Sequence, residues 1–174
     1  MTSDEINTLA IKYRGTILNG IIRIERMMDI YLCQYFTPIE HKQDELLNMI
    51  FGTLRITFEN KRSLLDYLIK KELIDIAKGW PTLTKDMQDL NSKRTVLAHY
   101  LLDTSPESES LPDGTIRFFK FMNNQDFEML GAAEFRSIEI TLNRMYIYMV
   151  EHMTGALPPS NSATVHSSES HRLS

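Results

Sequence analysis

Asn91, Arg94 and His99 lie in one helical stretch in the pattern Asn-x-x-Arg-x-x-x-x-His. A histidine accepts and releases a proton near neutral pH. An arginine presents a planar fork of donors that grips an oxyanion at two points. Whether either residue is used depends on the helix face it occupies. At roughly 100° per residue, Leu83, Met87, Leu97 and Leu101 fall within about 60° of Leu90 and define a core stripe. His99 lies roughly 180° from Leu90, beside Ser92 and Thr95. It is therefore an ordinary exposed histidine or one that faces a partner or substrate. Arg94 lies at roughly 40°, inside the apolar stripe, where it must snorkel outward or pair with a buried carboxylate. Asn91 lies at roughly 100°, between the two faces, and Val96 and Tyr100 form a further patch on the flank. Apolar residues on more than one side suit a helix that packs in its own bundle and also lies at a dimer interface. Arg94 and His99 are about 140° apart, so one chain places them poorly together. A symmetric pair of chains would bring both into one cleft.

The elements around this helix follow from apolar spacing. Ser3 with Asp4 and Glu5 reads as a helix start. Ile6, Leu9, Tyr13, Ile17, Ile21, Ile24, Met28, Tyr31 and Tyr35 then predict one helix of about thirty residues, ending near Thr37-Pro38. A second stripe, Leu18, Ile22, Leu32 and Phe36, implies cover on two sides, by other helices or by a second copy. Further helices are predicted over 44–54, 57–71, 81–102 and 132–153, with a short amphipathic piece at 73–77. The polar loop 104–110 and the turn Pro112-Asp113-Gly114 precede a strand-like run, Thr115 to Phe121. The expected fold is all-α: a bundle of four to five main helices with a short strand or hairpin between the last two. Residues 1–155 form the bundle, and 156–174, rich in Ser, Pro and Asn, a disordered tail.

Composition narrows the function classes. The 174 residues suffice for one domain with a sizeable core. A net charge of −4 argues against a general nucleic-acid coat protein while permitting a local site. The single cysteine, Cys33, sits in an apolar stretch and excludes a disulfide framework or a Cys-based zinc site. His41 and His152 have no ligand at metal-binding spacing, so no metal and no cofactor are expected. No segment approaches 18 apolar residues, and the acidic start lacks a signal peptide's basic region, so no membrane contact and a cytoplasmic location are expected. Glu25 and Asp29, four apart, share a helix face near Arg23 and Arg26. They form a solvated charged strip, or else Glu25 pairs with Arg94 and orients it. Lys61-Arg62 and Lys70-Lys71 read as solvated faces that add positive potential for RNA.

The string Asn91-Ser92-Lys93-Arg94-Thr95-Val96-Leu97-Ala98-His99 resembles the Arg-x4–6-His signature of HEPN domains. These are all-α bundles found in toxin and defence ribonucleases and in nucleotide-binding partners of nucleotidyltransferases. Phe58-Glu59-Asn60-Lys61 followed by Leu64-Leu65 resembles the helix that often precedes the motif. The arrangement is similar over residues 10–153, and the likeness is specific across 91–99. It implies a metal-independent endoribonuclease of toxin or defence type, with a composite site at a homodimer interface. His99 would move a proton at the ribose 2′-hydroxyl or the leaving oxygen. Arg94 would hold the scissile phosphate, and Asn91 would orient the phosphate or the histidine. It also implies a cognate antitoxin or a nucleotidyltransferase-type partner. Many active members carry Asn, Asp or His directly after the arginine, where this chain has Thr95, which still donates or accepts a hydrogen bond. The alternative is a non-catalytic helical interaction or nucleotide-binding module, such as a regulatory or antitoxin-type partner.

Overall fold

The computed structural model describes residues 1–53, 55–72, 74–120 and 123–153; the expected tail, 156–174, lies outside them. The first helix, α1 (Ser3–Phe36), starts one residue earlier than the Ser3 cap suggests. The Thr2 hydroxyl accepts from the Glu5 N–H, and the Glu5 carboxylate accepts from the Thr2 N–H at 2.7 Å. This reciprocal pair satisfies two donors that a helix start otherwise leaves orphaned. Along α1 the positions Ile6, Tyr13, Ile17, Ile21, Ile24, Met28 and Tyr31 are buried as their spacing requires. The closing helix α7 (Ala132–Met153) lies against them, burying Phe135, Ile138, Leu142, Met145, Met149 and Met153. The two helices approach closely at Gly20, where an added Cβ would sit 2.7 Å from a Leu142 methyl.

Between them come α2 (Glu40–Leu46), which runs on as one wide turn through Leu47–Phe51, then α3 (Phe58–Lys71) and α4 (Ile74–Gly79). Thr57 caps α3 by accepting from the Asn60 N–H. After the buried Trp80 comes α5 (Leu83–His99), with Leu83, Met87, Leu90 and Leu97 in the core. This helix stops three residues short of the expected end. Leu101 and Leu102 form a strand, β1, and Leu101 is 53% exposed instead of joining the core stripe. No Gly or Pro breaks the helix there. Pairing with a neighbouring strand and the donation from Arg14 to the Tyr100 carbonyl at 2.8 Å override the local preference.

A short turn of helix, α6 (Pro106–Glu109), leads to β2 (Ile116–Lys120) and β3 (Asn123–Leu130). The strands form an antiparallel sheet in the order β1-β2-β3. The all-α expectation is thereby corrected: the chain is mostly helical with a small three-stranded antiparallel sheet. Ile116, Phe118 and Leu130 point into the core and extend the surface that α1 and α7 pack on. No described helix is long and apolar enough to cross a membrane.

Gly114 carries φ of +78°, in the turn that returns the chain from α6 to β2. A Cβ there would meet the Ala132 Cβ at 2.8 Å, and the Gly114 carbonyl accepts from the Tyr13 hydroxyl. Gly114→Ala is expected to lower stability by about 1–2 kcal/mol, read by urea unfolding.

Candidate functional site

Arg94 and Asn91 are both half-buried on α5, and His99 is exposed at its last turn. Arg94 makes no hydrogen bond or ion pair with any described residue, and neither does His99. Thr95, also exposed, turns its hydroxyl back onto the Asn91 carbonyl at 3.1 Å, as Ser92 does onto Gln88. Its polar group is thus occupied within the helix.

Glu25 does not pair with Arg94, nor do Glu25 and Asp29 form a solvated strip. Both carboxylates close on Lys61, whose ammonium lies 2.9 Å from Glu25 and 2.8 Å from Asp29. Lys61 is 2% exposed and Asp29 4%, so the reading of Lys61 as a solvated lysine is corrected too. Burial pushes the Asp29 carboxyl up, against the pull of Lys61. It also pushes the neighbouring Cys33 thiol to about 11, which leaves that cysteine an inert core residue.

This ion pair fixes where α3 lies. Its first turn meets α1 at Glu25 and Asp29, and its end is held by the Tyr35 hydroxyl donating to Glu72. On its other side, Thr84 of α5 donates to Asp66 at 2.7 Å. One stripe of α1, within about 60° of Ile22, contains Ile11, Gly15, Leu18, Ile22, Glu25, Asp29, Cys33 and Phe36. Under α3 it is closed, with Asp29 and Cys33 buried. Before α3 begins it is open: Ile11 is 73% exposed and Ile22 55%. Nothing lies within 4 Å of a Cβ placed on Gly15.

The same holds on α5. Thr84, Asn91, Ala98 and Thr95 share the flank at roughly 80–140° from Leu90, with Arg94 between this flank and the core stripe at roughly 40° and His99 beyond its outer rim at roughly 180°. The first of them is held by α3; beyond it Thr95, Ala98 and His99 are exposed. Before α3 begins, then, α1 carries an open apolar stripe, and beyond Thr84 α5 carries a half-buried guanidinium and amide and an exposed imidazole. A cleft of 370 Å³, lined by Ile22, Glu25, Arg26 and Lys61 among others, lies at the α3 end of that stripe. Among the described residues no three His, Cys, Asp or Glu side chains converge as metal ligands.

A second polar cluster sits at the end of α5 beyond His99. Asp103 accepts from the Ser105 N–H, the Ser108 hydroxyl and the Arg117 guanidinium. Burial opposes its charge, but these donors outweigh burial and hold the carboxyl at about 2. Its sequence signal is modest: an Asp two residues before Ser-Pro, able to close an Asx turn.

No protein-family model, curated protein or solved structure matches this chain.

Two outcomes follow from these ion pairs. Lys61→Ala leaves the buried Asp29 and the half-buried Glu25 unpaired and is expected to cost about 3–5 kcal/mol in urea unfolding, whereas the exposed Lys70→Ala stays near zero. Asp103 has a depressed folded value, so its stabilisation is present above its ordinary 3.8 and is lost as pH falls to about 2. Asp103→Asn is expected to flatten that part of the acid-unfolding curve.

Proposed function

We propose that this chain is a HEPN-like, metal-independent endoribonuclease of toxin or defence type whose site is completed by a second copy. The observation that carries the reading is Arg94: half-buried on α5 and without a counter-ion among the described residues, in a chain whose α1 also leaves Ile11 and Ile22 exposed. A guanidinium held partly out of water without a carboxylate is suited to receive an anion. The stripe Ile11, Gly15, Leu18 and Ile22 supplies the apolar surface on which the second copy packs, and Gly15 lets a helix approach closely.

In the dimer, the two Arg94 guanidinium groups grip the scissile phosphate. One His99 takes the proton of the ribose 2′-hydroxyl as its oxygen attacks phosphorus. The other gives a proton to the 5′-oxygen as the P–O bond breaks. Asn91 orients the phosphate. The charge that develops on the phosphate oxygens is stabilised by donors already in place.

A binding-only module, such as a regulatory or antitoxin-type partner, draws on one observation. The hydroxyl next to Arg94 donates to the Asn91 carbonyl, so that position has no free donor for an anion.

The test is cleavage of single-stranded RNA in EDTA. His99→Ala and Arg94→Ala are each expected to lose at least about a hundredfold in rate. Ile22→Asp, at an exposed position, is expected to turn a sedimenting dimer into an inactive monomer. Equal rates in wild type and all three variants, or a wild-type monomer at high protein concentration, would overturn the reading.

A further inference from the structure

The sheet turns a second surface outward, next to the end of α5. In an antiparallel pair, residues directly opposite share a face. Leu101 lies opposite Phe119, Phe119 opposite Phe127, and Arg117 opposite Met129. Leu101, Phe127 and Met129 are each about half exposed, at 53%, 49% and 49%. The Arg117 guanidinium lies over both rings, 5.4 Å from the Phe119 centroid and 5.5 Å from that of Phe127. Asp103 holds it there through the cluster with Ser105 and Ser108.

The surface is thus two phenyl rings and a fixed guanidinium plane, arranged before any ligand arrives. We infer that this face stacks the unpaired bases of single-stranded RNA flanking the bond cut at His99. The inference takes its substrate class from the ribonuclease reading. Every nucleobase has a π-face, and unstacked RNA bases are recognised by stacking on aromatic side chains and Arg planes. Position supports this occupant: β1 begins two residues after His99, so a strand leaving the α5 face runs onto the sheet. Exposed Lys120 closes β2 at the same sheet. Size argues against a second copy as the occupant. Three half-exposed side chains offer roughly 300 Å², against about 800 Å² per partner in a stable interface.

The experiment is equilibrium binding of a short fluorescent RNA with 2′-O-methyl riboses, which lacks the hydroxyl that cleavage needs. Phe127→Ala is expected to weaken binding about five- to a hundredfold. Phe127→Trp should keep it, and both should melt with the wild type because the ring is half exposed. The same strand as a duplex, or with abasic residues, should bind weakly and be insensitive to Phe127→Ala. Unchanged affinity in Phe127→Ala, equal binding of duplex, or a change of oligomeric state in that variant would overturn the inference. Cleavage that survives alongside unchanged affinity removes the platform and leaves the nuclease standing. Phe127-dependent binding without any cleavage removes the nuclease and leaves the platform.

Discussion

The ammonium of Lys61, closed between Glu25 and Asp29, decides how far α3 reaches along α1. A lysine this deep is held by its two carboxylates, since an unpaired charge in the same place would cost several kcal/mol. The pairing sets the first turn of α3 against the middle of α1. Toward the N-terminus on that side, no described helix covers Ile11 or Ile22. The apolar stripe of α1 therefore changes character along its length, from buried at Asp29 and Cys33 to open at Ile11 and Ile22. On α5 the hydrogen bonds from α3 reach Thr84, and Arg94, ten residues on, is half-buried without a partner among the described residues.

The contrast between cations organises the functional reading. Lys61 is doubly neutralised and serves the fold. Arg117 is neutralised by Asp103 and thereby held beside two rings. Arg94 is half-buried and makes neither a hydrogen bond nor an ion pair among the described residues, unlike the half-buried Arg14, which donates to the Tyr100 carbonyl. In a protein of net charge −4, a group like Arg94 suits the local anion site we propose without a general attraction for nucleic acid.

Much of this was legible in the residues, for a physical reason. Helix α7 and most of the core face of α1 follow a 3.6-residue period that burial reproduces, with Leu9 and Tyr35 only half-buried. The second stripe of α1, expected to be covered, instead leaves Ile22 and Phe36 exposed. The wheel sets His99 outward as the structure does. What stayed hidden was non-local. Lys61 and Glu25 are 36 positions apart, so nothing near either residue announces the pair. The last turn expected of α5 was lost to strand pairing between Leu101 and Phe119, a choice made by the tertiary structure. Strand β3 carries Asn, Gln, Asp and Glu among few apolar residues, and only pairing with β2 makes it a strand.

The most direct test is disulfide trapping at Gly15. A Cβ there meets nothing within the chain, and the native Cys33 is buried. If a second copy packs on the open face of α1, Gly15→Cys should form a symmetric disulfide dimer under mild oxidation. It should do so far faster than Ile140→Cys, an exposed position on α7. Equal, slow cross-linking of both variants would contradict the two-chain site.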